Sequence, residues 1–514
     1  MANVRSNVYD LGGTWADPIL WYARGVAVMK ALPIANPKSW RFLAAIHGFN
    51  QQLWTQRGYL SASDQLPSSS VQSQFWAQCQ HASWYFLPWH RGYVYAFEDN
   101  LRAAVASIGG PTDWTLPYWN YFGTGQNALP PAFASPTWPD GGTNPLYVPA
   151  RYGPNGDGNV TIPLSQVNLA AMNETVFTGV SSGGSPGFGG IDTGFSHTGS
   201  VPGRLENQPH NMVHLLVGGS SGGQSGLMAN PDSAGLDPIF WLHHANIDRL
   251  WESWNTSSAG HTNPTNSRWI GGPAVSGQRP FVMPLHTGST WTFTPGQVVS
   301  LTTLGYSYAT LTPTAAAVPV STRLERLGFT DQARTEEAQT EEAQAMPENT
   351  NVELVGASSG RLPIQGRDVH GHVRLDPRTR RKVISSLTPE LSTRDQPPAP
   401  DRVFLNVENV RGQSDTAAFN VYVGVPEDED PADHPELLAD GVAPFGLRNA
   451  SEADSEHAGQ GLTFALEITD IVDRLHLQGA FDVDSLPVRI VPVLPITDRD
   501  AVSIGRISVF REGR

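Results

Sequence analysis

Several histidines in the first 250 residues stand at spacings that suit metal ligation. His210 and His214 are four residues apart, so on a helix both imidazoles face the same way and can hold one ion. Residues 237–251 predict a buried helix, because they begin with Asp-Pro, which suits an N-cap and the first helical position. His244 falls within the apolar stripe of that helix. These residues point to metal chemistry.

Three further histidines, His47, His81 and His90, lie on or beside apolar helical segments. A lone buried histidine is more often a satisfied core residue than a ligand, but here six share such surroundings. All six need partners, because unpaired buried polar groups are costly. On four predicted helices they make two sites of three imidazoles. Neither a four-cysteine set nor a carboxylate cage accompanies them, and all-imidazole ligation suits copper, zinc, iron or nickel.

The composition restricts the remaining possibilities. The chain has 514 residues, too many for one core, and a formal net charge of −15, which argues against nucleic acid or an anionic membrane as partner. No apolar run reaches the roughly 18 residues of a membrane span. The N-terminus shows no secretory signal pattern, which predicts a cytoplasmic location unless a partner protein exports the chain. The subunit count stays open, with a homo-oligomer as one alternative.

The pattern of the chain predicts three segments. Residues 1–315 predict a mainly α domain, a four-helix bundle around the metal site with long irregular loops. Residues 316–350 carry a tandem Thr-Glu-Glu-Ala-Gln repeat and predict an acidic linker. Residues 351–514 have an apolar period of two and predict an all-β sandwich or barrel. The histidines of that domain show no ligand spacing within a predicted helix, although His370 and His372 could clamp an ion.

Separate helical stretches should carry the ligands. Residues 40–57 predict one apolar helix with His47, and residues 71–107 predict a second helical region that breaks near Pro88. Residues 206–217 predict a short helix for the i, i+4 histidine pair. The two sites would therefore form where these helices pack against the helix that starts at residue 237.

Two long motifs carry a family resemblance. The segments His81-x4-Phe-Leu-Pro-Trp-His90-Arg-x6-Glu98 and Asp237-Pro-x-Phe240-Trp-x-x-His244-x3-Asp248 resemble the signature motifs of the tyrosinase and polyphenol oxidase family, the binuclear type 3 copper proteins. That family also includes catechol oxidases and molluscan hemocyanins. The resemblance covers about residues 1–310, and a weaker likeness to the C-terminal domain of plant polyphenol oxidases extends over residues 419–493.

The resemblance implies a dicopper centre. It divides the ligands into a copper A set and a copper B set: His47, His81 and His90, and His210, His214 and His244. It selects His244 over its neighbour His243, which we expect to be hydrogen-bonded on another face of the helix. Cys79 resembles the cysteine whose sulfur forms a thioether with the copper A ligand two residues later.

Other positions take their expected roles from the same resemblance. Glu206 and Asn211 resemble a pair that positions a water molecule, and Arg5 with Tyr306-x-Tyr308 resembles a lock between the ends of the catalytic domain. We expect Glu98 and Asp248 to orient imidazoles by accepting their N–H, with salt-bridged carboxylates as the alternative.

The pocket around the two ions is expected to be apolar and covered. Phe86 and Phe240 should wall the ion pair, and the loop 227–236 should form its mouth. Pro231 stands where plant enzymes carry a bulky gate, which predicts an open route for phenols. The C-terminal domain should act as a lid that keeps the enzyme latent, and Phe445 is the predicted plug.

The resemblance implies the activity of a tyrosinase. Such an enzyme uses O2 to hydroxylate monophenols at the ortho position and to oxidise o-diphenols to o-quinones, the precursors of melanin. Its substrates are small phenols and catechols, and the copper ions carry the redox chemistry. A catechol oxidase without monophenol activity, an o-aminophenol oxidase and a hemocyanin-like O2 carrier are the alternatives. A dizinc hydrolase would need bridging carboxylates, which the motifs lack.

Overall fold

The computed structural model describes residues 3–197, 199–257, 260–311, 320–329, 351–366, 368–388, 400–453 and 459–513. Within its first 311 residues the chain is mainly helical, with helices at Asp17–Ala31 (α1), Trp40–His47 (α2), Gln51–Gln56 (α3), Ser69–Phe75 (α4), Phe86–Ser107 (α5), Pro131–Ala134 (α6), Met212–Gly218 (α7), Pro238–Asn255 (α8), Ser267–Gly271 (α9), Pro295–Val298 (α10) and Leu301–Leu304 (α11). None of the helices in these described ranges combines the length and hydropathy of a membrane span.

The long helices confirm the mainly α fold, but two predicted boundaries were wrong. The stretch 40–57 is two helices, because α2 ends at His47 and Asn50 caps the start of α3 with its side chain. The break in 71–107 lies at residues 76–85 rather than near Pro88. Pro88 occupies the first turn of α5, where a missing backbone N–H leaves no helical hydrogen bond unmade.

Short strands pair across the first domain: Asn3–Arg5 (β1), Thr178–Gly179 (β2), Gly190–Ile191 (β3), Ser220–Ser221 (β4), Gln224–Ser225 (β5), Phe281–Pro284 (β6), Thr290–Phe293 (β7) and Tyr306–Tyr308 (β8). Strand β1 pairs in parallel with β8, which joins the two ends of the domain as the Arg5 and Tyr-x-Tyr resemblance predicted. Loops make up most of residues 108–205.

After the helix Val320–Arg326 (α12), the C-terminal domain is built on β-strands: Asn351–Ala357 (β9), Leu362–Pro363 (β10), Val369–Leu375 (β11), Arg402–Val410 (β12), Phe419–Val423 (β13), Leu438–Val442 (β14), Leu462–Glu467 (β15), Ser485–Pro492 (β16), Ser503–Ile504 (β17) and Arg506–Gly513 (β18). Its helices are Pro377–Leu387 (α13), Leu447–Ser451 (α14) and Thr469–Leu477 (α15).

Eight of these strands form one antiparallel sheet in the order β14-β13-β16-β11-β9-β18-β12-β15. The predicted all-β domain is confirmed, and the contact between edge strands β14 and β15 favours the barrel over two stacked sheets. The predicted bounds at residues 315 and 350 stay a prediction, because residues 312–319 and 330–350, with the tandem repeat, lie outside the described residues.

The two domains have separate cores that meet at one place. The larger buried apolar cluster belongs to the helical domain, and the smaller one lies inside the sheet of the C-terminal domain. The larger cluster also takes in four residues of the C-terminal domain: Ala418, Ala443, Phe445 and Leu494. The C-terminal domain therefore packs directly on the helical domain.

Candidate metal centre

All six predicted ligands come together in the interior of the helical domain. The rings of His47, His81 and His90 have centroids 5.2–5.6 Å apart. A second set, with centroids 4.6–5.4 Å apart, comprises His210, His214 and His244. The two sets adjoin, since the His90 and His244 rings stack at 4.5 Å. Only His81 departs from the prediction of helical ligands, because it lies in the segment 76–85 between α4 and α5.

Hydrogen bonds from one ring nitrogen orient four of these imidazoles. The Nδ1 atoms of His47, His90 and His214 donate to the backbone oxygens of Pro231, Phe86 and Met228 at 2.8–2.9 Å. The Nδ1 atom of His210 lies 2.8 Å from the side-chain oxygen of Asn211. An Nδ1 that faces an oxygen carries the proton, so Nε2 keeps its lone pair and points into the cluster.

These Nε2 atoms fit a bound metal. The Nε2 atoms of His47, His81 and His90 are buried and have no hydrogen-bond partner among the described residues. Those of His210 and His214 lie 3.4 and 3.2 Å from Nε2 of His244. Nitrogens bonded at about 2.0 Å to one tetrahedral ion lie about 3.3 Å apart. The second set therefore has the spacing that a single ion requires.

Burial also favours the protonation state that metals bind. It lowers the pKa of His90 and of His214 to about 3, and it lowers the pKa of the other four imidazoles well below the usual value. The rings are therefore neutral at pH 7, and a neutral imidazole is the form that ligates a metal.

His243 lies closer to this cluster than predicted. Its ring is fully buried and stacks on His210 at 5.3 Å. Among the described residues, the one hydrogen-bond partner in reach of its ring is the backbone of His210, so the ring faces the cluster and the prediction that it lies on another helix face is wrong. One of its nitrogens lies within 4.8 Å of the ligand nitrogens of His210, His214 and His244.

Aromatic rings enclose the imidazoles. Phe86 lies 4.6 Å from both His90 and His210, and Phe240 lies 4.1 Å from His244, measured between ring centroids. Both phenylalanines are fully buried. They therefore exclude water from two sides of the cluster.

The single cysteine lies beside a copper A ligand. Its sulfur is 3.4 Å from Nδ1 of His81 and 3.2 Å from Nδ1 of His197. The thioether between Cys79 and His81 stays a prediction. His197 was not predicted, because it stands in an irregular Gly- and Ser-rich stretch where no periodicity marks a residue as buried.

Glu206 and Asn211 border a small cavity next to the ligands. Glu206 accepts hydrogen bonds from the backbone N–H of Ala82 at 2.8 and 2.9 Å, and burial raises the pKa of its carboxyl to about 8. The cavity has about 20 Å³ of free space and is also lined by His81 and Phe445. That volume suits about one water molecule.

Phe445 of the C-terminal domain reaches this same place. Its ring stacks on the His214 ring at 4.4 Å and 29°, and lies 5.5 Å from the His81 ring. Pro231, whose carbonyl orients His47, lies close to Gly446. The predicted mouth at Pro231 is therefore covered by the C-terminal domain in this structure.

Glu98 and Asp248 form salt bridges, which was the alternative expected for them, and they do not orient the imidazoles. Asp248 forms an ion pair with Arg91 and accepts hydrogen bonds from the hydroxyls of Tyr306 and Tyr308 at 2.6 and 2.5 Å. Glu98 instead accepts from two guanidinium groups, those of Arg5 at 2.7 Å and Arg102 at 2.6 Å. Arg5 also lies 3.3 Å from Asp248. Both carboxylates serve a buried ion-pair network that ties β1 and β8 to α5 and α8.

Asp248→Asn should test this structural role. The variant leaves the guanidinium groups of Arg5 and Arg91 buried without their shared carboxylate, which costs about 3–5 kcal/mol in the free energy of unfolding. Denaturant titration of the copper-free full chain measures the change. Asp140→Asn, which weakens the exposed pair with Arg24, should leave that free energy nearly unchanged. Equal effects of the two variants would contradict the assignment.

Comparison with known proteins agrees with this geometry. A family model described as the common central domain of tyrosinase matches residues 37–178 and 162–257, and a model described as a domain of unknown function matches residues 351–512. The chain is 32% identical to a tyrosinase of Hahella sp. (strain CCB-MM4) over 525 aligned positions, which cover 99% of each chain.

The sequence alignment with a plant relative covers about half of this chain, whereas the fold comparison with a plant enzyme covers nearly all of it. The chain is 30% identical to a latent polyphenol oxidase of Prunus armeniaca over 257 positions, covering 48% of this chain and 40% of the relative. The solved structure of latent apple tyrosinase shares the fold, with a TM-score of 0.59 at 21% identity over 99% of this chain and 97% of that one. The chain therefore belongs to the tyrosinase family of copper oxidoreductases, whose centre holds two copper ions.

Proposed function

We propose that the protein is a latent phenol oxidase, which uses O2 to hydroxylate monophenols and to oxidise o-diphenols to o-quinones. The observation that carries this proposal is the convergence of six neutral imidazoles beneath an aromatic ring from the second domain. The imidazoles of His47, His81 and His90 would hold one copper ion, and those of His210, His214 and His244 the other. When bound, the two ions supply the electrons that activate O2.

The Phe445 ring indicates how a substrate would bind. An aromatic ring already fits on the face of His214, in a stacked geometry that is favourable for two aromatic groups. A phenol that replaces Phe445 would occupy the same apolar space. Phe86 and Phe240 would limit access of water to the reacting atoms.

Glu206 is placed to remove the phenol proton through a water molecule. A phenol has a pKa near about 10, so it must lose its proton to bind as a phenolate. The cavity between Glu206, Asn211 and His81 has space for one water. The Asn211 oxygen already accepts from His210, which leaves its amide N–H groups to donate to that water. Glu206 in its ionised form would take the proton.

Glu206→Gln should separate the two activities. Glutamine cannot accept the proton, so monophenol hydroxylation should fall about 10²–10⁴-fold, the range for loss of a general base. A catechol is more easily oxidised, and its rate should fall less. Initial rates with tyrosine and catechol measure this difference. An equal loss for both substrates would contradict the role of Glu206 as base.

The pH dependence of monophenol hydroxylation gives a second test of Glu206 as the base. Burial raises the pKa of Glu206 to about 8, and two bound copper ions would lower it by their positive charge. Monophenol hydroxylation in the wild type should therefore decline as the pH falls through an apparent pKa below about 8. Glu206→Gln should lack this limb of the profile.

Contacts between the domains support the latent state. Arg204 of the helical domain pairs with Glu467 of β15 at 2.6 Å, and Arg402 of β12 pairs with Glu174 at 3.0 Å. The backbone N–H of Thr463 donates to the oxygen of Ser200 at 2.7 Å. These bonds hold the C-terminal domain where Phe445 covers the ligands, so turnover requires that domain to move or to be removed.

Product analysis tests the proposed reaction. The copper-loaded full chain should be offered tyrosine, catechol and o-aminophenol, before and after mild detergent treatment. We expect o-quinone from both tyrosine and catechol, at rates that rise after treatment. Product from catechol alone would support a catechol oxidase, and faster turnover of o-aminophenol would support that alternative.

A further inference from the structure

The segment that carries the first copper B ligand has little backbone support of its own. Residues Glu206–Asn211 form an irregular helical turn in which Gln208 has extended dihedral angles (φ −133°, ψ 125°). Pro209 adds no N–H donor, so the ladder of helical hydrogen bonds is interrupted just before His210. Something outside this segment has to hold it in place.

Within the helical domain, Glu206 accepts from the backbone N–H of Ala82 and the Gln208 side chain donates to the Gln166 carbonyl. The C-terminal domain adds support at Asn207, through the edge strand β14. The side-chain nitrogen of Asn207 donates to the backbone oxygen of Gly441 at 3.0 Å. Its side-chain oxygen accepts from the backbone N–H of Ala443 at 3.5 Å. The Asn207 side chain is buried, and these two bonds join it to consecutive parts of one lid segment. The Asn207 amide thus pairs with the backbone of residues 441 and 443 as a neighbouring strand would.

The two surfaces are in close contact at position 441, where two side chains of the ligand segment lie against the lid backbone. A Cβ at Gly441 would lie 2.7 Å from the Gln208 side-chain nitrogen and 2.8 Å from the terminal carbon of Met212. Gln208 and Met212 flank His210 on either side in the sequence. The lid strand therefore lies directly on the ligand-bearing segment.

Two of the copper A ligands are oriented from within the helical domain, whereas the third, His81, lies 5.5 Å from the ring of the lid residue Phe445. His47 is oriented by the carbonyl of Pro231 and His90 by the carbonyl of Phe86, and both carbonyls belong to the helical domain. Loss of the Asn207 contact alone, with Phe445 unchanged, should therefore act mainly on the ion that His210 helps to hold.

We propose that Asn207 is a positioning residue through which the docked lid holds the His210 segment and so retains copper at site B. The lid then has two effects that are linked: it covers the centre and it stabilises half of it. Because such coupling is reciprocal, copper at site B also favours the docked lid. The inference rests on the proposed dicopper function for the identity of the metal, and its test reads copper retention rather than turnover.

Asn207→Ala in the full chain tests the proposal. We expect the affinity for one of the two coppers, measured by competition with a chelator, to fall about 5- to 150-fold from that of the wild type, the usual range of coupling between two sites. The second copper should keep its wild-type affinity, and the remaining isolated Cu(II) should become visible by electron paramagnetic resonance.

Asn168→Ala is the matched control. Asn168 also donates to β14, from its side-chain nitrogen to Asp440 at 2.9 Å, but it does not belong to the ligand segment. It should retain both coppers as the wild type does. Wild-type retention in Asn207→Ala, equal loss of both ions, or an equal loss in Asn168→Ala would overturn the proposal. A wild type that binds fewer than two coppers would instead overturn the proposed function.

Discussion

His244→Ala is expected to lose one of the two coppers and to lower catechol oxidation by more than about 100-fold. Loss of a residue that only hydrogen-bonds a metal ligand already costs up to about 100-fold, and loss of a ligand should cost more. The His244 Nε2 is the atom that lies 3.4 and 3.2 Å from the Nε2 atoms of His210 and His214. Without it the second set keeps only two of its three imidazoles. Copper per chain, measured by elemental analysis, should fall from two to one.

His243→Ala is the adjacent control on the same helix. His243 is equally buried, but the family motif does not place it among the ligands. Its replacement should leave two coppers per chain and change the rate far less. Loss of copper in His243→Ala with full retention in His244→Ala would reverse the assignment of the ligand at this helix.

Phe445→Ala is expected to give a full-length enzyme that oxidises catechol without an activator. The Phe445 ring is 7% exposed and stacks on His214. Removing it gives up about 2–4 kcal/mol from burial and aromatic contact, and so raises the open fraction of the lid by about 30- to 1000-fold. The rate of the untreated full chain measures this change.

The rate after detergent activation is the control for Phe445→Ala. Phe445 belongs to the lid and supplies no ligand, so the fully activated variant and wild type should have equal rates. An untreated variant that remains as inactive as the wild type would contradict the role of Phe445 as plug. A variant that is slow even after activation would show that the centre itself had changed.

The ligands were predictable because local features mark them. The spacing of His210 and His214 and the Asp-Pro start before His244 are signals within one turn or one helix. His81 was assigned correctly to the cluster but wrongly to a helix. The apolar run after it resembles a helix in composition, yet Pro88 fits only the first turn of α5, which leaves His81 in the preceding loop.

The contacts of residues that surround the ligands without binding the metal were not predictable in this way. Glu98 and Asp248 stand at helical spacing from histidines, but their partners come from β1, β8 and α5. Asn207 contacts a strand more than 230 residues away in the sequence. Such pairs depend on how domains pack, which periodicity does not encode.

Copper content and oxygen uptake measured on one sample test the central claim most directly. The account predicts two coppers per full-length chain, little O2 uptake with catechol before activation, and rapid uptake with catechol and tyrosine once the lid is displaced. Two bound coppers with no uptake of O2 for either substrate, both in the detergent-treated wild type and in Phe445→Ala, would contradict it.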